Sequence, residues 1–248
     1  MKFIGLSGLP RSGSTLLSSI LSQNSDIHAE GNSAVCQLMW DMQESCLSLE
    51  KSGEQLSANN RIETIYSLIS AIPNIYYKDT KASFIFDKCR SWTIPDNMEL
   101  IYRYIDKKPK VIVLERPLIE VVKSFVYLKQ QNNEQGNLEQ GLIDINTEPI
   151  MRAFAGVKWA KQNNNGEFLF IKYDDIVNKT QEVINNIYTF CEIKPFKHIF
   201  KNIINIHPED DKCYGYLGQH DIRPNISKRH IDIKLSDSII EKCKQLDQ

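Results

Sequence analysis

Paired cysteines, an excess of charge of one sign and long apolar runs are all missing from this chain, and each absence excludes a class of protein. The six cysteines, Cys36, Cys46, Cys89, Cys191, Cys213 and Cys243, contain no CxxC pair and no regular spacing. That argues against a disulfide scaffold or a thiolate metal site, and for reduced thiols in a cytosolic protein. Lys and Arg number 30 against 31 Asp and Glu, a net charge of −1, so bulk electrostatic binding to nucleic acid or membrane is not expected. No apolar stretch approaches the roughly 18 residues that span a bilayer. The opening apolar run is broken by Gly8, Pro10 and Arg11, so it is not read as a secretory signal. Without such a signal, the sequons at Asn178 and Asn225 are chance matches. His207-Pro208-Glu209-Asp210-Asp211 has no second ligand cluster at usable spacing, and no metal is predicted.

What remains is an ordinary globular composition, 42% hydrophobic and 25% charged over 248 residues, long enough to bury a full core. There is no internal repeat. Short apolar runs read as buried strands at Phe3 to Ser7, Ser83 to Asp87, Lys110 to Leu114 and Phe168 to Tyr173. Between them, helical spacing predicts helices at Thr15 to Leu21, Ala34 to Leu49, Ile62 to Ile72 (stopped by Pro73), Met98 to Ile105, Leu118 to Leu128, Pro149 to Lys161 and Gln181 to Cys191. The polar segment Gln130 to Gly141 reads as a mobile loop, and a short final helix closes the chain. This alternation predicts a single α/β domain over residues 1–248, a P-loop-type parallel sheet with helices on both faces. Residues 1–206 would form the core, and 207–248 a C-terminal loop and helix closing over the site. Ligands of such sheets sit beyond the carboxyl ends of the strands, so the loops after Ser7, Asp87 and Leu114 should meet in one crevice.

The first of these loops, Gly8-Leu9-Pro10-Arg11-Ser12-Gly13-Ser14-Thr15, lies between a strand and a helix. Its backbone N–H groups and the helix N-terminus form an anion site, and Gly13 permits close approach of a phosphate. Ser12, Ser14 and Thr15 add hydroxyls, and Arg11 adds a forked cation. The spacing fits a Walker A loop except that Ser14 stands where a nucleoside triphosphatase has Lys, and no Mg²⁺-binding strand-end Asp compensates. The loop is built for a 5′-phosphate that is not a triphosphate. Arg116, just past the third apolar strand, and Ser124 on the helix after it can grip a separate phosphate from two sides.

These residues resemble the sulfotransferase superfamily, which uses 3′-phosphoadenosine 5′-phosphosulfate (PAPS). Pro10-Arg11-Ser12-Gly13-Ser14-Thr15 resembles its 5′-phosphosulfate loop, and Arg116 with Ser124 its 3′-phosphate motif. Phe168 to Ile176 resembles its recurring strand and Tyr-acidic-acidic segment, and Lys88 its active-site lysine. The match is nearest the Arg-bearing branch of tyrosylprotein and bacterial enzymes. The segment around Gly218-Gln219-His220-Asp221-Ile222-Arg223-Pro224 resembles sulfotransferase-like proteins of marine cyanobacteria and their phages.

The resemblance implies in-line sulfuryl transfer from PAPS to a hydroxyl or amine, leaving adenosine 3′,5′-bisphosphate, with no metal. Pro10, Arg11 and the amides of Ser12 to Thr15 would hold the 5′-phosphosulfate, Arg116 and Ser124 the 3′-phosphate, and Lys88 the bridging oxygen. His28-Ala29-Glu30-Gly31-Asn32 stands near the branch's Gly-Glu-Glu run but out of its register, which makes Glu30 the first candidate base and His28 the second. His220 and Arg223 either close over the nucleotide or acceptor, with Arg223 joining the nucleotide set, or form a loop salt bridge. The acceptor pocket is expected from Asn32 to Asn60 and Gln130 to Thr147, and the acceptor and oligomeric state stay open. Trp40, Trp92 and Trp159 are either core or acceptor lining. Two other classes compete: a kinase-like P-loop protein, and a non-catalytic binder of PAPS or its bisphosphate product.

Overall fold

The computed structural model describes residues 1–144 and 149–247. Five strands form one sheet: β1 (Lys2–Gly8), β2 (Ile27–Asn32), β3 (Phe84–Lys88), β4 (Val111–Glu115) and β5 (Phe168–Lys172). All are parallel, in the order β2-β3-β1-β4-β5. Period-2 alternation sends successive residues to opposite faces, and apolar residues on both faces explain the near-continuous hydrophobic runs. Phe3, Ile85, Val111 and Val113 face one core layer. Helices α2 (Val35–Leu47), α4 (Ile62–Tyr76), α5 (Pro95–Tyr104), α6 (Leu118–Gln131), α7 (Ile150–Gln162) and α10 (Asp237–Asp247) contribute to that layer. Ile4, Leu6, Phe86, Ile112 and Leu114 face the other layer, which packs against α1 (Ser14–Leu21), α8 (Tyr173–Asn178) and α9 (Thr180–Cys191). The remaining helix, α3 (Glu54–Ala58), is a single exposed turn or so.

The chain leaves central β1 toward β2 and β3 on one side, then crosses to β4 and β5 on the other. The crevice lies where that order reverses, at the carboxyl end of β1. Close packing there has a backbone cause. Gly8 sits at φ 122°, and a Cβ on it would lie 2.2 Å from the Leu114 carbonyl oxygen.

One local expectation needs correction, and the structure adds two features beyond those expected. The helix from Ile62 does not stop at Pro73, because it runs on to Tyr76. Pro73 is buried, and the last turn closes through Tyr77 N–H to the Pro73 carbonyl at 3.1 Å. The missing proline N–H costs one helical bond, and tertiary burial outweighs it. The stretch from Ile27 to Asn32 is the edge strand β2, which its small and polar residues concealed. The polar segment after α6 is held in turns: Asn132 exchanges two hydrogen bonds with Leu217, and Tyr216 donates to Glu134 at 2.7 Å. The part of the expected acceptor pocket at 145–147 lies outside the described residues. Trp92 is core and donates to Asp87 at 2.6 Å, and Trp159 packs edge-on against Phe168. The six cysteines are unpaired. Among the described residues no helix is long and apolar enough to cross a membrane, and no group of three or more His, Cys, Asp or Glu is arranged to hold a metal.

Candidate active site

The phosphate loop closes the end of β1. Gly13, at φ 91°, caps α1, and the helix has neither a side-chain cap nor an acidic residue in its first turn. Its first N–H groups are therefore open to an anion. A Cβ on Gly13 would come within 3.0 Å of the Tyr173 ring, the first residue of α8. Arg11 takes the left-handed conformation, φ 61°, which turns its side chain across the cleft. Its Nε donates to Ser124 Oγ at 3.1 Å, and its Nη1 donates to the Gln219 carbonyl. Burial, and then the charges of Arg116 and Arg229, push Arg11 down to about 10. Ser12 is buried and donates its hydroxyl to the Leu9 carbonyl, so that hydroxyl braces the loop while Ser14 and Thr15 line the cleft.

The end of β4 supplies the opposite wall. Arg116 is buried, donates from Nη1 to the Arg11 carbonyl at 2.7 Å, and pairs with Glu120 one turn along α6 at 3.1 Å. Its guanidinium lies over the Tyr173 ring, 4.3 Å from the centroid. Arg11, Arg116 and Ser124 thus form one cluster, with Tyr173 as its floor. Seen this way, the Tyr-acidic-acidic segment contributes a ring that fixes both Gly13 and Arg116.

The end of β3 brings in Lys88, which is buried with its Nζ 3.3 Å from Glu209 Oε2. Burial pushes the ammonium down, and Glu209 opposes that shift. The preceding residue, Asp87, faces the other way and accepts from Tyr77 and Trp92 at 2.8 and 2.6 Å.

His28 and Glu30 do not join this cluster. They bond to one another at 3.0 Å, and His28 packs against Tyr77 and His207, with centroids 5.4 and 4.8 Å away. Neither lines the cleft; Asn32, at the end of β2, does. The groups that sequence reasoning passed over are Glu209 and Asp211; His220, expected either to close over the site or to form a loop salt bridge, does both, lining the cleft and bonding to Asp211. Glu209 accepts from Asn32 N–H at 2.9 Å, Asn32 Nδ2 at 3.2 Å and the Tyr214 hydroxyl at 3.0 Å. Gly31 leaves room for it, since a Cβ there would stand 2.0 Å from Glu209 Cδ. Burial raises the Glu209 pKa, but Lys88 and the Asn32 N–H outweigh it and the net shift is downward. The only signal in the sequence was the acidic run after His207, which carries no information about what it faces. The cleft is open to solvent, with a cavity volume of about 150 Å³, and the stretch from Gln219 to Ile231 forms much of its rim. Arg223 is on that rim and donates to the Ser227 carbonyl.

A family model described as "Sulfotransferase family" matches residues 4–198. The chain belongs to the sulfotransferase family. Its fold is that of solved sulfotransferase structures at low identity. The sulfotransferase domain of the Synechococcus PCC 7002 olefin synthase aligns over 100% of this chain and 94% of its own, at 14% identity and a TM-score of 0.57. A sulfotransferase from Alicyclobacillus acidocaldarius aligns over 98% and 90%, at 11% identity and 0.57. The sulfotransferase domain of the curacin biosynthetic pathway aligns over 79% and 75%, at 18% and 0.52. No curated protein sequence matches the chain. The family match ends before the segment that carries Glu209, Asp211 and His220.

Proposed function

We propose that this sulfotransferase takes its sulfuryl group from PAPS and passes it to a hydroxyl or amine acceptor. The observation that carries the reading is the meeting of Arg11, Arg116 and Ser124 in one cleft with Lys88, beside a loop with Ser14 in place of the triphosphatase lysine. The donor has two separate phosphate-bearing positions. The open N–H groups of α1 with Ser14 and Thr15 suit the 5′ end, and the Arg116–Ser124 pair suits an isolated 3′-phosphate. Arg223 on the rim extends the nucleotide set.

The acceptor oxygen attacks sulfur in line as the sulfur–oxygen bond to the 5′-phosphate breaks. Negative charge gathers on the bridging oxygen. Lys88 supplies the cation for that oxygen and the loop amides supply dipoles, so catalysis is positioning and electrostatics. We assign residues 207–248 the role of a closing segment, supported by the Arg11–Gln219 and Lys88–Glu209 contacts. The unpaired thiols support a reduced, cytosolic setting. Calorimetry against adenosine 3′,5′-bisphosphate, ADP and ATP–Mg²⁺, followed by transfer from labelled PAPS, tests the proposal. The bisphosphate should bind well ahead of the other two; equal or tighter binding of ATP–Mg²⁺ would return the chain to the kinase-like class, and binding with no transfer to any acceptor would make it a non-catalytic binder.

A further inference from the structure

Sulfuryl transfer to a hydroxyl releases a proton, and the two candidates that the sequence nominated to take it, Glu30 and His28, are bonded to each other outside the cleft. A different histidine is inside it. His220 lines the cleft with only 9% of its side chain exposed. Its Nδ1 lies 2.6 Å from Asp211 Oδ1, and its backbone N–H donates to Asp211 Oδ2 at 3.1 Å, so one carboxylate fixes both the ring and the chain that carries it. With Nδ1–H donating to Asp211, the Nε2 lone pair faces into the site. Nε2 lies 3.5 Å from Glu209 Oε2, the oxygen that also meets Lys88 Nζ. The imidazole nitrogen and the ammonium thus meet the same carboxylate oxygen.

We propose that the His220–Asp211 pair, delivered by the C-terminal segment, is the base that deprotonates the acceptor. This rests on the sulfuryl-transfer reading above. The acceptor O–H proton passes to His220 Nε2 as the acceptor O–S bond forms. The S–O bond to the donor breaks, and its electron pair leaves on the bridging oxygen beside Lys88. His220 becomes an imidazolium held by Asp211, then returns its proton to solvent. Asp211 is a positioning residue: it selects the Nδ1–H tautomer and stabilises the cation. Glu209 is the resting counter-ion of Lys88 and of the site.

Burial, and then the Lys88 charge, lower the His220 pKa, while Glu209 and Asp211 pull it up; the net shift is downward and leaves the ring neutral at pH 7. The groups that face it are Asp211, Glu209, Lys88, Gln219 and the Tyr214 ring, whose centroid is 5.2 Å away. Base catalysis by the neutral ring therefore gives a rate that rises with pH through a limb below 6.5 and then levels.

Two measurements on the full chain test this. Nitrogen-15 NMR of the five histidines, with His220 assigned through His220→Asn, should find His220 as the Nδ1–H tautomer at pH 7.5, and Asp211→Asn should disturb that tautomer. An Nε2–H tautomer or an imidazolium at that pH overturns the inference, whatever the acceptor. Release of adenosine 3′,5′-bisphosphate from PAPS, with water and then phenols as acceptors, should fall about 10²- to 10⁴-fold in His220→Asn. Binding of the bisphosphate should be retained. Asp211→Asn should lower turnover and reshape the pH limb, which a residue that only holds the loop would not do. Undiminished turnover in His220→Asn refutes the base. Loss of bisphosphate binding in the wild type refutes the donor reading instead.

Discussion

Replacing Arg116 with Ala tests the proposal that this residue distinguishes a 3′-phosphorylated nucleotide from ADP. A guanidinium has five N–H donors. Two are committed within the protein, Nε to Glu120 and Nη1 to the Arg11 carbonyl, which leaves three for a ligand. The group is buried and lies over the Tyr173 ring, so its orientation is set before binding and little entropy is lost when a phosphate arrives. A hydrogen bond to a charged partner is worth about 1.5–3 kcal/mol, and the phosphate would make one or two. A net loss of about 2–3 kcal/mol corresponds to about 30- to 150-fold in affinity. The assay is titration calorimetry of wild type and variant with adenosine 3′,5′-bisphosphate and with ADP. The ratio between the two ligands is the informative quantity, because collapse of the Arg11 carbonyl or of Glu120 would weaken both nucleotides alike. Glu120 keeps Lys228 at 3.2 Å as a second partner, which limits that collapse. The bisphosphate should lose the full factor while ADP stays nearly unchanged. An equal loss for both, or none for either, refutes the assignment of Arg116 to a 3′-phosphate.

Lys88→Ala should lower turnover about 10²- to 10³-fold with the bisphosphate affinity largely kept, since the lysine is assigned to charge that develops during transfer; single-turnover release of labelled sulfuryl against calorimetric affinity separates the two. Gly8→Ala puts a Cβ into the Leu114 carbonyl at a left-handed φ and should destabilise the fold by about 3 kcal/mol or more, read by denaturant unfolding. Acid should loosen the C-terminal segment. His220 and Glu209 both have pKa values lowered in the folded state, so each contributes stability above its ordinary value, 6.5 or 4.5, that is lost as the pH falls through the lowered one. Hydrogen exchange across residues 207–231 should then speed up on going from pH 7.5 to below 4.5 relative to the β1 and β4 amides; faster exchange at alkaline pH alone, after correction for intrinsic rates, would contradict the sign.

The parallel sheet, the phosphate loop and the Arg116–Ser124 pair were legible because each is local. A run such as Val111-Ile112-Val113-Leu114 is explicable only by burial on both faces, and Arg116 and Ser124 are placed by strand-end and helix geometry over a few residues. Lys88 was singled out only by the resemblance to the family's active-site lysine. β2 was not legible, since an edge strand of small and polar residues lacks the apolar signature. Pro73 misled because its local cost is known while the burial that outweighs it is not.

Identity of the base shows the division most plainly. By itself the sequence determined the phosphate loop, where Gly8 to Thr15 are close both in the chain and in space and Ser14 stands where a triphosphatase has Lys. The tertiary structure made Ile27 to Asn32 an edge strand, which sets His28 and Glu30 two apart and on one face. Which neighbours that face meets was decided by packing: Tyr77 from the end of α4 and His207 from the C-terminal segment turn the pair away from the cleft. The same segment then carries Glu209 and His220 onto Lys88, across a separation of 121 residues for the Glu209 contact. No local propensity encodes a meeting at that distance. It exists because Gly31 leaves a gap beside β2, the Asn32 N–H at that edge needs an acceptor, and a carboxylate fills both needs at once.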